Sequence, residues 1–543
     1  MSRRSRGRTP DRTHFSRSDR PFLRVLAALG STLPLIAVGA YAVHAPQAPS
    51  RPVTQHITSI AAGPTTLSCP GPLVMPDPGA AGNNTDDQFA LTPPSNSSTV
   101  RAVAIDGQSP LLFGQTLGAT TTGDIAPKPP QLRLTGDAAA PKDAVKSAAP
   151  LAIALGTLAT SAAQPGAELR AGGTTGMVAD TVQSTITPTG DFRSATLARC
   201  APARTDATFA GLSTANGKAS LLVLTNPSSR PATVTMTAWG ERGPVVLPQS
   251  SHVVVPARST QNVLLDALVP NAQSLTVRMS TNGIPVNAHV QITGRNGLTP
   301  QGAVHMTADA VAASDSVLAG IQVTAGAPAP RLSVTNSSAS PAHVTWQVQG
   351  SSGDVPAGAG RIDVPAGTVS NVELRGLTPG SYALALSSET PVAGVVTVDE
   401  VGTSPDGPGQ QAPQDFAVVT PAAGITDAAA LAVPVDASGD SIVLTSDQAG
   451  GVSLIPVAAD GTAGTPSTVE VGRNTALAVP LSQLSVKGSG PAAVILRPDV
   501  PGAVHAALVH RPNTPHGPLL SVLPYDAATT GQHDAPPQIV VER

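Results

Sequence analysis

The chain has 543 residues, of which only 12% are charged, and its formal net charge is −3. Fifty-four prolines and 51 glycines interrupt it too often for long helices, which excludes an α-helical protein. Most of the chain is acidic and only its N-terminus is basic, which argues against nucleic-acid binding by the body.

The N-terminus predicts a membrane anchor. Residues 1–24 carry eight arginines and two aspartates, whereas residues 25–43 are uncharged and apolar. About 20 such residues form a helix that crosses a bilayer, and positive charge keeps the preceding segment in the cytoplasm. The alternative is a signal peptide cleaved after Ala40, which would secrete the protein. Because the apolar run continues through Val43, we favour an uncleaved, single-pass anchor. Both interpretations place the body outside the cytoplasm.

The segment that follows predicts a spacer and then a β domain closed by a disulfide. Residues 44–64 are rich in Pro, Ala, Ser and Thr, which is typical of a spacer. Residues 65–204 contain short apolar runs typical of strands and the only two cysteines, Cys69 and Cys200. In an exported protein such a pair predicts a disulfide, here clamping an irregular β domain. A metal or redox site would need further ligands or thiols close by in the sequence.

The next two segments are predicted to be a duplicated β module, called repeat 1 (205–300) and repeat 2 (315–400). LLVLTNPSSRPATVTMTAWG begins at Leu221 and RLSVTNSSASPAHVTWQVQG begins at Arg331. Later, VVVPARSTQNVLLDAL in repeat 1 corresponds to IDVPAGTVSNVELRGL in repeat 2. The shared order and spacing of these landmarks indicate a duplication. Alternating apolar positions in each copy favour antiparallel strands.

A third, more diverged copy is predicted beyond a linker at 401–416. In this repeat 3 (417–525), SIVLTSDQAGGVSLIPV corresponds to the strands around Thr335, and VPGAVHAALVH to the end of repeat 2. Residues 526–543 are a Pro-containing tail. We therefore expect an all-β protein of serial Ig-like antiparallel β-sandwiches after one N-terminal transmembrane helix.

Few aromatic residues are available for ligand binding. Trp346 occupies the position of Met236 in repeat 1, which predicts a core residue. Trp239 is expected on the opposite face or at a strand end, where a surface-binding role is open. Tyr382 and Tyr525 complete the small set of aromatics that could stack against a sugar.

No pattern of residues predicts chemistry, so we expect no catalytic residues, no cofactor and no metal site. The sequence has no G-x-S-x-G, H-E-x-x-H or P-loop motif. His505 and His510 are five apart in a strand-like run and should face opposite sides, which disfavours joint metal binding, even with His516 nearby.

The chain resembles a known family in three stretches: SATLARCAPARTDATFAGLS, SLLVLTNPSSRPATVTMTAWGERG and VVVPARSTQNVLLDAL. They are similar to an uncharacterised family of exported actinobacterial proteins that is labelled only as a domain of unknown function. The resemblance extends to the CPGPL element at Cys69 and to the basic N-terminus with one membrane segment. It implies export and an envelope setting, and it implies no activity or site residues.

The leading hypothesis is a membrane-anchored, extracytoplasmic scaffold or protein-interaction module of the bacterial cell envelope, with no enzymatic activity. Its partners would be envelope proteins, with the membrane contacted through the N-terminal helix. The alternative is a carbohydrate-binding module for cell-wall glycan that uses an exposed aromatic such as Trp239. An enzyme with an unrecognised site is the third hypothesis.

Overall fold

The computed structural model describes residues 65–75, 91–105, 131–136, 142–143, 145–146, 153–160, 167–172, 178–247, 251–307, 310–404 and 411–526. They all belong to one compact unit that spans residues 60–535. Within these residues the protein is built from antiparallel strands with a single α-helix of four residues, which confirms the all-β class. The predicted anchor and tail lie outside the described residues, apart from Asp526.

The N-terminal unit has two antiparallel sheets. The first has the strand order β1-β7-β3-β4 and the second β5-β6-β2-β8-β9. The strands are β1 (Thr65–Ser68), β2 (Ser97–Ile105), β3 (Gln131–Gly136), β4 (Lys142–Asp143), β5 (Val145–Lys146), β6 (Ile153–Thr160), β7 (Ala167–Gly172), β8 (Val178–Thr187) and β9 (Ser194–Arg199).

Repeat 1 is a sandwich of a five-stranded and a four-stranded antiparallel sheet that share one core. One sheet has the order β10-β16-β12 with β13 and β14 on the same edge of β12, and the other has the order β15-β11-β17-β18. The elements are β10 (Asp206–Leu212), β11 (Lys218–Thr225), β12 (Ala232–Gly240), β13 (Gly243–Val245), β14 (His252–Val255), β15 (Thr260–Leu264), α1 (Leu265–Leu268), β16 (Leu275–Thr281), β17 (Asn287–Asn296) and β18 (Thr299–Met306).

Strand β12 illustrates why this sequence forms a sandwich. Val234, Met236 and Ala238 are buried and point into the core, whereas Thr235 and Thr237 alternate with them on the outer face. This period of two is what a strand with one buried face requires. Burial of each large apolar side chain contributes about 1.5–3 kcal/mol.

Repeats 2 and 3 have the same strand order as repeat 1. Repeat 2 comprises β19 (Ala313–Val323), β20 (Arg331–Thr335), β21 (Ala342–Gly350), β22 (Gly353–Val364), β23 (Val369–Glu373), β24 (Gly380–Val401) and β25 (Gln414–Val419). Repeat 3 comprises β26 (Ala429–Ala432), β27 (Ser441–Ser446), β28 (Gly450–Val457), β29 (Ser467–Val471), β30 (Thr475–Pro480), a 3-10 turn (Leu481–Gln483), β31 (Ala493–Pro498), β32 (Val504–His510), β33 (Asn513–Thr514), β34 (Gly517–Pro518) and β35 (Ser521–Pro524).

With the strands of each repeat lettered A to H in chain order, one sheet is A-F-C-D and the other is E-B-G-H. In repeat 2, the two halves of the long strand β24 supply F and G. In repeat 3, β26-β31-β28-β29 and β30-β27-β32-β35 form the two sheets. Immunoglobulin constant domains instead divide their strands into ABED and CFG. The repeats therefore share the sandwich architecture of those domains but have a different strand order.

The duplicated sequence landmarks form the same turn in repeats 1 and 2. Asn226 donates from Nδ2 to the carbonyls of Arg230 and Val255 at 2.8 and 3.0 Å. Asn336 donates in the same way to Ser340 and Val364 at 2.8 and 3.1 Å. The Thr-Asn and Val-Pro-Ala motifs recur because these buried amides tie two distant segments of each sandwich together.

One predicted boundary differs from the structure. Residues 414–419, placed in the linker and at the start of repeat 3, form β25 and pair with β24 from Val396 to Val401. Strand β25 is the H strand of repeat 2, so the linker is shorter than predicted. The Pro- and Gly-rich composition around 402–413 predicted a linker, so nothing in the sequence indicated that the strand after it pairs back to β24 of repeat 2.

Successive repeats stack through one recurring joint. The outer face of each A-F-C-D sheet packs on the outer face of the next repeat's E-B-G-H sheet. At the first joint, Gly211 lies against Val395 and Val418; at the second, Gly320 lies against Ala507, Val509 and Val522. Both glycines sit at a β-bulge and have positive φ, 77° and 90°.

The N-terminal unit closes the stack into a ring. Its second sheet shares a core with repeat 3, through residues such as Val103 and Leu197. On its other side, Gln291 of repeat 1 exchanges two hydrogen bonds with the backbone of Val74, at 3.0 and 2.7 Å. The N-terminal unit also contacts repeat 2, since β9 lies next to β25, and the edge strands β9, β18, β25 and β35 lie close to one another.

Candidate functional site

The predicted disulfide between Cys69 and Cys200 is present and structural. Cys69 follows β1 and Cys200 follows β9, and next to them Ser68 and Ala201 exchange two backbone hydrogen bonds of 2.9 Å. Both cysteines are buried, with 5% and 0% of their surface exposed. The bond joins the two sheets of the N-terminal unit and is shielded from reagents in solution.

A single buried carboxylate ties three units together where the edge strands meet. Asp415 at the start of β25 accepts hydrogen bonds of 3.0 Å from the backbone N–H groups of Ala195, Phe416 and Leu520. Ala195 belongs to the N-terminal unit, and Leu520 belongs to repeat 3. Burial raises the pKa of Asp415 to about 8, while the three N–H donors and the nearby Arg193 guanidinium act in the opposite direction.

One buried and one half-buried arginine complete this junction. Arg193, only 1% exposed, donates to the carbonyls of His516, Gly517 and Pro518 at 2.9–3.0 Å. Arg511 donates to Glu400 at 2.7 Å. Three of their nitrogens, Arg193 Nε, Arg193 Nη1 and Arg511 Nε, are buried without a hydrogen-bond partner among the described residues. Their arrangement holds the ring together and offers no access to a substrate.

His510 and Asp440 form the only closely spaced His–carboxylate pair among the described residues in which both side chains are buried. The Nδ1 atom of His510 lies 2.8 Å from Asp440 Oδ2, and neither side chain is exposed at all. Such a pair resembles the base and its orienting acid in hydrolases. Both side chains are closed to solvent, and His510 Nε2 has no hydrogen-bond partner among the described residues. His505 bonds elsewhere, to the carbonyl of Ala422 at 2.8 Å.

A cavity of about 820 Å³ lies where all four units meet. Asp315 accepts from Ser387 at 2.7 Å, and Arg204 lies 3.8 Å from Asp526. His305 Nδ1 and Ser316 Oγ, which also line the cavity, have no hydrogen-bond partner among the described residues. The cavity is large enough for a small molecule, and its lining combines apolar and polar side chains.

Within the described part of the chain, no three His, Cys, Asp or Glu side chains are close enough to hold a metal ion. No helix among the described residues is sufficiently long and apolar to cross a bilayer, and residues 25–43 are outside that set.

Trp239 lines a pocket of about 200 Å³ on the outer face of the A-F-C-D sheet of repeat 1. It is half-buried. Beside it, Arg278 donates from Nε to both carboxylate oxygens of Asp206, at 3.1 and 2.9 Å. Hydroxyl groups of Thr276 and Thr335, 2.7 Å apart, close one side of the pocket. It combines an aromatic face, a charge pair and hydroxyl groups.

The other aromatic candidates are turned inward. Tyr382 and Tyr525 are only 8% and 4% exposed, so the prediction that they could stack against a sugar is wrong. Tyr382 donates its hydroxyl to the Thr378 carbonyl at 2.8 Å. Trp346 is half-buried and packs against the core of repeat 2, where its ring covers Gly360 of the neighbouring strand.

The D-strand edges of the three repeats pair with no further strand among the described residues. In repeat 1 this edge, β13 and β14, contains no charged residue, and Val254 on β14 is 59% exposed. Val246, between the two strands, is 95% exposed. The corresponding strands β22 and β29 carry charged side chains, among them Arg361 and Glu470.

Sequence reasoning missed the residues of the central junction. Asp415 directly precedes the apolar run FAVV. A charged residue next to a strand-like run was the one signal in the sequence that pointed to Asp415. Arg193 gave no signal, because its carbonyl partners lie more than 300 positions away.

Comparison with known proteins gives a family and no activity. A search of curated proteins finds no match. The model of a family of unknown function, DUF5719, matches residues 157–482, which is more than half of the 543-residue chain. The match begins in β6 of the N-terminal unit, runs through repeats 1 and 2, and ends in the 3-10 turn of repeat 3. The chain therefore belongs to the family of unknown function DUF5719.

Proposed function

We propose that this protein is a membrane-anchored, extracytoplasmic scaffold of the cell envelope whose body docks an extended segment of a partner protein. The observation that carries this proposal is the unprotected edge of repeat 1 at β14. An unpaired edge presents a row of N–H and C=O groups, and an incoming strand is the chemical complement of that row.

Comparison of the three repeats supports the choice of edge. Soluble proteins protect free edges with charged residues, proline or bulges. Strand β22 carries Asp354, Arg361 and Asp363, and β29 carries Glu470. Strand β14 reads HVVV and exposes Val254, and the proline of this edge, Pro244, lies on β13 and not on β14. Three edges with the same place in the fold differ in protection, which favours a specific role for this one.

Several features support export and the absence of chemistry. A buried disulfide is typical of proteins from oxidising compartments. The basic segment followed by 19 uncharged apolar residues is typical of an anchor. The buried acids Asp180, Asp415 and Asp440 each accept hydrogen bonds from the protein itself, which favours a structural role for them.

The test is a quantitative pull-down of full-length protein from mild-detergent extracts of its own cells. Val254→Lys places a charge on the free edge without disturbing the core. We expect a stoichiometric envelope partner with wild-type protein and at least a tenfold loss with Val254→Lys. Val435→Lys is the matched control, because Val435 is 46% exposed on repeat 3, away from this edge. A partner retained equally by both variants would contradict docking at β14.

A further inference from the structure

The joint between repeats 1 and 2 is open at a point where the joint between repeats 2 and 3 is closed. Trp239 and Gln349 are the penultimate residues of the corresponding strands β12 and β21. At the second joint, Gln349 is 6% exposed and accepts a hydrogen bond of 2.8 Å from Thr445 of repeat 3. At the first joint, the indole of Trp239 occupies the position that corresponds to Gln349, and the pocket lies beside it.

The corresponding threonine of repeat 2 does not close this pocket. Thr335, which lies on the B strand as Thr445 does, bonds to Thr276 of repeat 1 instead. Both hydroxyl groups border the pocket together with Ser337. The widened joint is therefore lined by hydroxyl groups on one side and by the indole on another.

Five of the residues that line the pocket lie on one face of the sheet. Asp206, Thr208, Thr276, Arg278 and Trp239 alternate with inward-pointing core residues on β10, β16 and β12. Such residues are fixed by the sheet, which orders a binding surface before a ligand arrives. The rest of the lining comes from the segment 310–312, which forms no strand, and from Thr335, Ser337 and Ala393 of repeat 2.

The chemistry of the lining selects a class of ligand. The indole offers a flat apolar face, and the Arg278–Asp206 pair offers donors and acceptors of nearly zero net charge. A phosphate or nucleotide would need a cation that is not already paired with a carboxylate. An aliphatic side chain would leave the polar side of the pocket without partners. A pyranose ring has an apolar C–H face and a rim of hydroxyl groups, which match the two sides.

We propose that the Trp239 pocket binds a single pyranose ring of a neutral glycan, with the ring stacked on the indole. The volume of about 200 Å³ suits one ring, since sites for larger ligands occupy about 300–1,000 Å³. Arg278 and Asp206 contact vicinal hydroxyl groups of this sugar. This site lies on the outer sheet face of repeat 1 and is independent of protein docking at the β14 edge.

Tryptophan fluorescence tests the proposal directly, because the chain has two tryptophans. In Trp346→Phe protein, Trp239 is the sole reporter. We expect soluble tetrasaccharides of β-linked glucose, galactose or N-acetylglucosamine, or purified wall polysaccharide, to change its emission saturably. In Trp239→Phe protein, the remaining Trp346 should not respond. No response to any of these sugars, or a response from Trp346 alone, would overturn the proposal.

A second pair of variants separates binding from folding. Asp206→Asn removes one member of the charge pair in the pocket, and we expect at least tenfold weaker sugar binding with an unchanged melting temperature. Asp363→Asn removes the carboxylate of an exposed ion pair with His343 on repeat 2 and should leave sugar binding unchanged. Equal effects of the two variants would contradict a role for the Arg278–Asp206 pair. Sugar binding that persists in Val254→Lys would separate this site from the β14 edge.

Discussion

Replacement of the joint glycine Gly320 by alanine should destabilise the protein through two separate costs. Gly320 has φ of 90°, and an alanine forced toward the left-handed region costs about 1–2 kcal/mol. Its Cβ would also lie 2.9 Å from side-chain atoms of Ala507 and of Val522 in the next repeat. Overpacking of that kind costs about 1–3 kcal/mol. The expected loss is therefore about 2–5 kcal/mol.

Gly326 provides the matched control. It has φ of 82°, and an added Cβ would meet no atom within 4 Å. Gly326→Ala should therefore cost only the backbone term of about 1–2 kcal/mol. The assay is urea unfolding followed by the fluorescence of Trp346, which lies in repeat 2 next to this joint. Equal losses for the two variants would refute the tight contact between repeats 2 and 3.

Three further predictions concern the turn, the disulfide and acid stability. Asn226→Ala and Asn336→Ala should each lower the free energy of unfolding by about 2–4 kcal/mol, because each leaves buried carbonyls unpaired. Asn282→Ala, in an exposed turn, should cost less than about 1 kcal/mol. Urea unfolding measures all three. Reduction should lower the unfolding free energy by about 2–4 kcal/mol and add about 2 Da by mass spectrometry. Burial holds the pKa of His305 well below its ordinary value, so the free energy of unfolding should fall as the pH falls below about 6.5. Melting curves at pH 7 and pH 5 should therefore show a smaller loss of stability for His305→Leu than for the wild-type protein. The hydrogen bond to Asp363 raises the pKa of exposed His343, so the contribution of His343 to stability is present at low pH and is lost as the pH rises. His343→Gln should therefore lower the melting temperature more at pH 5 than at pH 7.

The repeated sandwich could be predicted from the sequence because its determinants are local. The asparagine turn uses residues within about 30 positions, and it leaves the same letters in both copies, such as Thr-Asn around Asn226 and Asn336. The alternation in β12 reflects one sheet face directed at one core. The disulfide could be predicted from the count of two cysteines in a chain that we expected to be exported.

The closed ring could not be predicted, because its determinants lie between units. Gly211 and Gly320 look like ordinary turn residues until Val395 or Val522 is known to lie against them. Asp415 looks like part of a linker, yet its partners Ala195 and Leu520 are 220 and 105 positions away. Contacts at such separations leave no periodic signal in the sequence.

The candidate site was predicted only in part for the same reason. Trp239 stood out as a possible surface aromatic from the strand pattern alone. The register between β10 and β16 brings the Arg278–Asp206 pair next to Trp239. The joint with repeat 2 brings Thr335 to the same pocket. The tyrosines were misjudged because their burial depends on how strand ends pack.

Photo-crosslinking in living cells tests most directly the claim that this is an extracytoplasmic docking protein. Benzoylphenylalanine would replace Val254 on the free edge or, as the control, Val435 on repeat 3. The account predicts an adduct with one envelope protein from position 254 and none with that protein from position 435. No adduct from position 254, or an adduct there with cytoplasmic proteins, would contradict it.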